Sequence, residues 1–254
     1  MSYVWCIDHD GTASYGDIGR DHLCRLMGLD RMGFVEEVNR IRGDSAYRNM
    51  ITNGDVYDYG LEKALLLAYH RVSQDNVRES GRVAENSLRE GFPEFLQDKD
   101  RGRVIIFSAG VRDWLVPFYN KFIPKNFEAI GTTLYVDAQG KYTGIKKPCG
   151  MEGKPARIKE ALQGLNNSVV KIGVGDSRGD RKMFDYVLES HGLTIGIGSG
   201  IDGDINVPED SSWHPVKEAG KLYASIIDRA GTATTRAKEY AIKNIRNSVQ
   251  GITG

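Results

Sequence analysis

Two pairs of aspartates are spaced so that each pair could act at a single site. Asp8 and Asp10 follow the first apolar run, and in an extended segment this spacing lets both approach one site while Gly11 allows the chain to turn away. Asp176 and Asp180 follow a later apolar run. Their spacing predicts that they lie on consecutive turns of a helix and face one way.

Carboxylates that meet at one site repel one another unless a cation lies between them. A hard divalent ion with oxygen ligands removes this repulsion, and Mg²⁺ typically binds one or two carboxylates, water and a substrate phosphate oxygen. Together with a carboxylate nucleophile, these groups can form an aspartyl phosphate. The pattern therefore predicts a magnesium-assisted phosphoryl site. A simpler interpretation exists for each pair, because Asp and Gly favour turns and Asp is common before a helix.

Other residues could bind an anion at the same place. Ser108 and the two residues after it follow another apolar run, and they offer a hydroxyl and backbone N–H groups at a predicted helix entrance. A serine before a helix is also a common cap. Lys154, at a predicted helix start, is the favoured source of fixed positive charge. Lys146 and Lys147 are alternatives, and an exposed surface position is the simpler interpretation for any single lysine.

Short apolar runs rich in β-formers predict strands that are buried on both faces of a mainly parallel sheet. They alternate with amphipathic helices, which is typical of a Rossmann-like, doubly wound α/β fold. The carboxyl ends of such strands meet at one edge, where ligands bind. A helix that begins near Asp113 would place Pro117 in its first turn. The predicted buried strands are Tyr3–Ile7, Val104–Phe107, Val169–Val174 and Leu193–Ile197, with the segment Ala129–Val136 between the second and third. The predicted helices are Pro155–Leu165, Lys182–Leu188, Val216–Asp228 and Thr235–Val249.

A long segment with helical periodicity separates the first two strands. It predicts an all-helical cap domain over residues 17–87, inserted as a separate small domain into a core of residues 1–16 and 88–254. A break is expected at Asn53-Gly54-Asp55. The apolar residues that recur at helical spacing are Phe34, Val38 and Ile41, followed by Leu61, Leu65 and Ala68.

These motifs, in this order, resemble those of the haloacid dehalogenase superfamily of phosphohydrolases. The first motif, Asp-x-Asp-x-Thr, is met by Asp8, Asp10 and Thr12. The second is a serine or threonine after an apolar strand, the third is a lysine, and the fourth is an acidic pair. The residues that meet these three motifs are Ser108, Lys154, and the pair Asp176 and Asp180. The helical segment between the first and second motifs looks like the superfamily's cap.

The resemblance implies a role for each of these residues. Asp8 would attack phosphorus and carry the phosphoryl group, and Asp10 would protonate the leaving oxygen and then deprotonate water. The implied ligands of Mg²⁺ are Asp8, the backbone carbonyl of Asp10, and Asp176, with Asp180 in support. The implied phosphate-binding residues are Thr12, Ser108, Ala109 and Lys154. The candidates for reading the rest of the substrate are Arg40, Arg42, Arg48 and Tyr57, although surface or core positions are the simpler interpretation for each.

The expected reaction is hydrolysis of a small phosphomonoester, with a nucleoside 5′-monophosphate as one candidate. Two strings, within Leu88–Val111 and Gly175–Met183, are similar to those of cytosolic pyrimidine 5′-nucleotidases. A helical cap is also shared with phosphoserine phosphatases. Therefore a phosphoserine phosphatase, another small-metabolite phosphatase, a phosphotransferase and a non-catalytic ligand-binding protein of the same fold are the alternatives. His9 stands where the family usually has Phe.

The composition argues against several other classes of protein. The 254 residues contain 34 Lys and Arg against 34 Asp and Glu, and this neutrality argues against a nucleic-acid binder. No apolar run approaches the roughly 18 residues of a membrane span. Cys6, Cys24 and Cys149 are too scattered for a disulfide framework or a zinc site. The N-terminus becomes acidic at Asp8 before a signal peptide could form, so a cytoplasmic enzyme with a small phosphorylated metabolite as its partner is expected. The sequence does not indicate an oligomeric state.

Overall fold

The protein contains a mainly parallel sheet, seen in a computed structural model that describes residues 3–44, 60–85, 87–122, 127–165 and 169–250. Seven strands form one sheet in these residues, and they run in the order β4-β3-β2-β1-β5-β6-β7. All neighbouring strands are parallel except β3 and β4, which are antiparallel. The strands are β1 (Tyr3–Asp8), β2 (Arg103–Val111), β3 (Phe127–Val136), β4 (Tyr142–Lys147), β5 (Val170–Gly175), β6 (Leu193–Ile197) and β7 (Ile205–Val207).

Helices cover both faces of this sheet and also form the segment between β1 and β2. None of the described helices has the length and apolar character needed to cross a lipid bilayer. The helices are α1 (Ile18–Leu26), α2 (Arg31–Arg42), α3 (Glu62–Tyr69), α4 (Gln74–Val83), α5 (Phe92–Gln97), α6 (Arg112–Tyr119), α7 (Lys154–Leu162), α8 (Arg181–Glu189), α9 (His214–Ala230) and α10 (Thr235–Gln250).

The central strand β1 is buried on both faces because its apolar side chains alternate between two cores. Trp5 belongs to a core that includes Phe95 of α5, and the two rings meet edge to face at a centroid distance of 5.0 Å. Cys6 belongs to the other core, together with Ile158 of α7 and Met183 of α8. The predicted doubly wound α/β fold is therefore confirmed.

The strand order reverses at β1, which pairs with β2 on one side and β5 on the other. In open α/β sheets, ligands bind in the crevice outside the carboxyl ends of the strands at such a reversal. The two carboxyl ends that meet there are the end of β1 at Asp8 and the end of β5 at Gly175. The topology therefore brings the first and fourth predicted motifs together.

The region around Ser108 differs from the sequence prediction. We expected the strand to end at Phe107 and residues 108–110 to lie at the entrance of a helix that begins near Asp113, but β2 continues to Val111, which is the cap of α6. The pairing of β2 with β3 shifts register between Phe107 and Val111, so the strand is irregular here. Ser108 is therefore part of a distorted strand end and does not cap a helix. The short strands β4 and β7 were not predicted.

Pro117 lies in the second turn of α6, so its predicted place in the first turn was wrong. The helix begins at Arg112, which makes Pro117 its sixth residue. Because proline has no N–H group, the carbonyl of Asp113 loses its partner within the helix. The helix ends two residues after the proline, at Tyr119.

The inserted helices share their apolar core with the sheet. The periodic residues of α2, of which Ile41 is an example, are buried, and so are those of α3, for example Leu65. Helix α3 packs against β2, β3 and β4, and α4 packs against α6. The boundaries 17–87 stay a prediction, and the expected break at residues 53–55 lies outside the described residues.

Candidate active site

Three predicted site residues come together at the reversal of strand order. One carboxylate oxygen from each of Asp8, Asp176 and Asp180 lies within 4.8 Å of the others. Asp8 is the last residue of β1, and Asp176 directly follows β5. The expected convergence of carboxylates from distant parts of the chain is therefore present among the described residues.

The turn after β1 depends on a glycine at its centre. Gly11 has a φ of +79°, and a Cβ atom at this position would lie 2.2 Å from Oδ2 of Asp176. Only glycine combines this backbone conformation with such a close approach. The next residue, Thr12, donates its hydroxyl to Oδ1 of Asp176 at 2.9 Å. This hydroxyl therefore has a carboxylate partner, and the phosphate contact expected for Thr12 stays a prediction.

Arg89 forms hydrogen bonds to the same turn, and it was not identified from the sequence. Its side chain is buried, with 1% of the residue exposed. The guanidinium donates to the carbonyls of Gly11 and Thr12, each at 2.7 Å. Arginine presents several donors in a fixed plane, so it can satisfy several carbonyls of an irregular turn at once. The turn that carries Asp10 is thereby fixed to the core.

Asp180 reaches the site by a route that the sequence did not predict. Residues 176–180 do not form consecutive turns of an α-helix, because Arg178–Asp180 is a short 3₁₀ turn preceded by an extended Ser177. The fully buried Asp180 folds back and accepts the backbone N–H groups of Asp176 at 3.2 Å and Ser177 at 3.3 Å. A 3₁₀ turn is tighter than an α-turn, so the pair still faces one site.

Lys154 lies at this site, and the two alternative lysines do not. It is the first residue of α7, and its Nζ lies 2.6 Å from Oδ1 of Asp8 and 2.5 Å from Oδ1 of Asp180. Lys146 and Lys147 are exposed on β4. Burial alone would lower the pKa of Lys154, but the facing carboxylates of Asp180 and Asp8 outweigh it and raise that pKa. The ammonium is therefore charged.

The three carboxylates carry more negative charge than Lys154 neutralises. Burial, and then repulsion by Asp180, raise the pKa of Asp8 well above its usual value, although Lys154 acts in the opposite direction. Burial and the same neighbour raise the pKa of Asp176 to about 6. If all three carboxylates are ionised, they exceed the ammonium by two negative charges, and the raised pKa values reflect this repulsion. The residues present therefore fit Mg²⁺, a hard divalent cation that prefers oxygen ligands.

The carboxylate of Asp10 stands apart from this group and pairs with a lysine that the sequence analysis missed. Its Oδ2 lies 2.8 Å from Nζ of Lys63, which also lies 2.8 Å from Oδ1 of Asp17. Lys63 is the second residue of α3, a helix whose following residues are apolar on all sides. A helix of that kind is buried, so a lysine at its start must find buried partners. The apolar residues that follow Lys63 in the sequence are therefore the signal by which it could have been identified.

His9 lies behind Asp10 and forms a buried hydrogen bond with Tyr119. The distance between Nδ1 of His9 and the Tyr119 hydroxyl is 2.7 Å. Burial lowers the pKa of His9 and raises that of Tyr119, so a neutral imidazole faces a protonated hydroxyl. The hydroxyl then donates to Nδ1, and Nε2 carries the remaining proton. Nε2 lies 3.7 Å from Oδ1 of Asp10, and neither atom has a hydrogen-bond partner among the described residues.

The end of β2 forms another wall of the site. The buried hydroxyl of Ser108 accepts the N–H group of Gly110 at 2.9 Å. The carbonyl of Ala109 accepts the hydroxyl of Thr132 at 2.9 Å. These bonds hold the predicted phosphate-binding residues Ser108 and Ala109 in a fixed conformation beside the carboxylates.

A cleft of about 890 Å³ joins these groups to the inserted helices. Its lining includes Asp8, Asp10, Ser108, Ala109 and Lys154, together with five residues of α2, which are Phe34, Val35, Val38, Asn39 and Arg42. Among the predicted substrate-reading residues, Arg42 therefore borders the cleft. Arg40 instead pairs with Glu37 and lies over the ring of Tyr69. Arg48 and Tyr57 lie outside the described residues.

The four motifs follow one another along the chain and lie at one edge of the sheet, as in hydrolases of the haloacid dehalogenase type. The haloacid dehalogenase-like hydrolase family matches residues 7–185, more than half of the chain. The chain belongs to this family, and the resemblance found in the sequence is confirmed. No curated protein matches the sequence.

Solved structures share the fold at low sequence identity. A phosphoserine phosphatase in apo form has a TM-score of 0.57 and 19% identity, over 85% of this chain and 98% of its own. Cytosolic 5′-nucleotidase IIIB bound to cytidine also has a TM-score of 0.57, with 17% identity, over 96% of this chain and 87% of its own. A gene product of Archaeoglobus fulgidus has a TM-score of 0.63 and 14% identity, over 100% of this chain and 98% of its own. At these identities the similarity extends to the fold alone.

Proposed function

We propose that the protein is a Mg²⁺-dependent phosphatase that hydrolyses a small phosphomonoester through an aspartyl phosphate on Asp8. One observation carries this proposal. Carboxylate oxygens of Asp8, Asp176 and Asp180 lie within 4.8 Å of one another, with the ammonium of Lys154 against Asp8. A reaction that brings a divalent cation and an anionic substrate to one place makes use of such a group, whereas a protein without that chemistry has no physical reason to keep it.

Asp8, Asp176 and Asp180, with the backbone carbonyl of Asp10, would hold Mg²⁺. The bound ion supplies positive charge that offsets the charge on the phosphoryl oxygens. Thr12 supports this arrangement, because its hydroxyl donates to Asp176 and fixes the orientation of that carboxylate.

Asp8 is the nucleophile in this proposal. One of its carboxylate oxygens forms a bond to phosphorus while the bond between phosphorus and the leaving oxygen breaks. Asp10 gives a proton to the leaving oxygen as it departs. Water then attacks the same phosphorus, gives a proton to Asp10, and breaks the bond to Asp8. Inorganic phosphate leaves, and both carboxyl groups return to their starting states.

Ser108, Ala109 and Lys154 would bind the phosphoryl oxygens that do not react. All three border the cleft next to Asp8. The ammonium of Lys154 supplies fixed positive charge, and Ser108 supplies a hydroxyl whose position the N–H group of Gly110 already holds. Donors that are fixed before the substrate arrives stabilise the transition state without a cost of reorganisation.

The rest of the substrate would lie against α2 of the proposed cap. Phe34 and Val38 offer an apolar surface there, and Arg42, which pairs with Glu62 at 3.7 Å, also lines it. A nucleoside 5′-monophosphate, with a flat base and polar edges, fits this mixture. An amino-bearing substrate such as phosphoserine needs a carboxylate in the cleft, but Asp17 and Glu62, which line it, are paired with Lys63 and Arg42. We therefore rank nucleoside monophosphates above phosphoamino acids, and propose a cytoplasmic enzyme that acts on a small metabolite.

The test is release of inorganic phosphate from nucleoside monophosphates, phosphoamino acids and sugar phosphates, with Mg²⁺ and with a chelator. We expect turnover that the chelator abolishes, with nucleoside monophosphates hydrolysed faster than phosphoserine. The Asp8→Asn variant should be inactive and retain the thermal unfolding of the wild type. Turnover that persists in the Asp8→Asn variant would contradict the covalent mechanism. Faster hydrolysis of phosphoserine would overturn the substrate ranking while leaving the mechanism intact.

A further inference from the structure

Lys63 places a buried cation from the inserted helices beside the proposed acid–base residue. Its side chain is 7% exposed, and its Nζ lies 2.8 Å from Oδ2 of Asp10 and 2.8 Å from Oδ1 of Asp17. Lys63 also lines the cleft, so these two ion pairs lie at its border. The ammonium is therefore held between two carboxylates.

This position is costly for a lysine. The residue lies in the first turn of α3, where the helix dipole disfavours a cation, and burial removes its hydration. Its two carboxylate partners offset these costs. An apolar side chain of similar size, facing neutral partners, would serve packing equally well, since buried ion pairs contribute little net stability. A role in packing therefore gives no reason for a lysine here.

Lys63 holds the oxygen of Asp10 that faces the cleft. The side chain of Asp10 is 22% exposed and lines the cleft, yet its Oδ1 is buried against the imidazole of His9. Oδ2 is thus the oxygen that a substrate can reach, and it is also the oxygen that accepts the hydrogen bond from Lys63. A carboxylate oxygen has a second lone pair, which remains for the proton in transfer.

We propose that Lys63 is a positioning residue for Asp10, through which the inserted helix α3 fixes the geometry of proton transfer. This inference rests on the proposed phosphatase function. Lys63 itself neither gives nor takes a proton. It holds Oδ2 of Asp10 in line with the leaving oxygen, so that the proton moves as the bond to phosphorus breaks. Because α3 packs against β2, β3 and β4, its lysine is held in place by the core of the protein.

The experiment compares substrates that differ in their need for a proton at the leaving oxygen. An aryl phosphate with a nitrophenol leaving group departs as a stable anion, whereas an alkyl phosphate requires protonation. We measure kcat/KM, which reports the steps through departure of the leaving group, for the wild type and for Lys63→Met. General acid catalysis typically contributes about 10²–10⁴-fold. Lys63→Met should therefore lower kcat/KM for both esters, and the factor for the alkyl ester should exceed that for the aryl ester by on the order of 10-fold or more.

Two further variants separate positioning from folding. In an Asp10→Asn background, Lys63→Met should cause little additional loss, since the residue that Lys63 positions is already disabled. Lys63→Arg, which retains the charge and a donor, should recover part of the alkyl phosphate activity. If Lys63→Met does not fold, the double variant with Asp17→Asn takes its place, because it removes one of the two carboxylates that the first change leaves unpaired.

The outcomes distinguish this inference from the proposed function. A wild type that hydrolyses neither ester would overturn the phosphatase function, and the inference with it. A wild type that hydrolyses both, with equal losses for the two esters in Lys63→Met, would make Lys63 a structural residue only. Failure of both Lys63→Met and its double variant to fold would lead to the same conclusion. A selective loss for the alkyl ester that disappears in the Asp10→Asn background supports the inference.

Discussion

A Cβ atom added to Gly11 would lie 2.2 Å from Oδ2 of Asp176, although 165 positions separate the two residues in the chain (176 less 11). Gly11 belongs to the turn after β1, and Asp176 follows β5. The turn therefore has to lack a side chain at this point for the carboxylate from β5 to approach. The glycine of the first motif and the aspartate of the fourth are parts of one steric arrangement.

Gly11→Ala should disable the site. The added methyl group displaces Asp176 from the other two carboxylates, so we expect kcat/KM for the best phosphomonoester to fall on the order of 10²-fold. Gly140→Ala is the matched control, because Gly140 also has a positive φ, +73°, but a Cβ atom there would meet nothing within 4 Å. Steady-state kinetics on both variants test the prediction, and equal activity in the two variants would contradict it.

Mg²⁺ should stabilise the folded protein. A ligand that binds only the native state at 100 times its dissociation constant adds about 2.7 kcal/mol to the free energy of unfolding. We expect the unfolding temperature to rise when Mg²⁺ is added to the wild type and to change little in Asp176→Asn. Asp75→Asn, at a carboxylate that is 91% exposed, is the control and should respond like the wild type. Thermal unfolding at several Mg²⁺ concentrations gives the answer, and identical shifts in all three proteins would exclude Asp176 as a ligand.

Tyr119→Phe should destabilise the protein. The tyrosine hydroxyl bonds to Nδ1 of His9 at 2.7 Å in a buried setting, and its removal leaves that nitrogen without a partner. An unsatisfied buried acceptor costs about 1–3 kcal/mol in the free energy of unfolding. Urea unfolding measures the change, and Tyr240→Phe, at a residue that is 63% exposed, serves as the control. Equal stability of Tyr119→Phe and the wild type would mean that this hydrogen bond contributes nothing.

Asp98 should contribute stability at neutral pH that is lost in acid. Hydrogen bonds from Lys221 and from the backbone N–H group of Asp100 hold the pKa of Asp98 below its usual value, and Lys217 adds to the effect. A group whose folded-state pKa is depressed stabilises the protein above its unfolded pKa of about 4, and this contribution disappears as the pH falls through the folded-state value.

Asp98→Asn should therefore lower the free energy of unfolding at pH 7 by about 1 kcal/mol or less, since the ion pairs are partly exposed. The difference from the wild type should shrink below about pH 4. Asp100→Asn removes a carboxylate that forms no ion pair within the described residues, and it is the control. A difference that stays constant from neutral pH into acid, measured by urea unfolding, would show that Asp98 acts through something other than its charge.

The fold and the carboxylate cluster could be predicted because their signals are local. Continuous apolar runs such as Val104–Phe107 specify buried strands, and the parallel sheet then brings Asp8 and Asp176 together at its edge. The irregular end of β2 at Ser108 was mispredicted because it depends on pairing with β3. The bend before Asp180 arises from hydrogen bonds to backbone N–H groups, and residue spacing does not report them.

The residues that were missed act across large separations in the sequence. Lys63 meets Asp10 from 53 positions away, and Arg89 meets Thr12 from 77 positions away. Neither residue is distinguished by the sequence around it. Their burial becomes visible only when α3 packs against the sheet and the turn after β1 packs against Arg89. A side chain that bonds to a distant motif is therefore difficult to identify from one sequence.

The central claim is that Asp8 carries the phosphoryl group, and trapping that group tests it most directly. Enzyme mixed with substrate and Mg²⁺ is quenched in acid during turnover and digested, and the peptides are examined by mass spectrometry. The account predicts one added phosphoryl group on the peptide that contains Asp8, at that residue, and none in the Asp8→Asn variant. A phosphoryl group on a different residue, or wild-type turnover by Asp8→Asn, would contradict it.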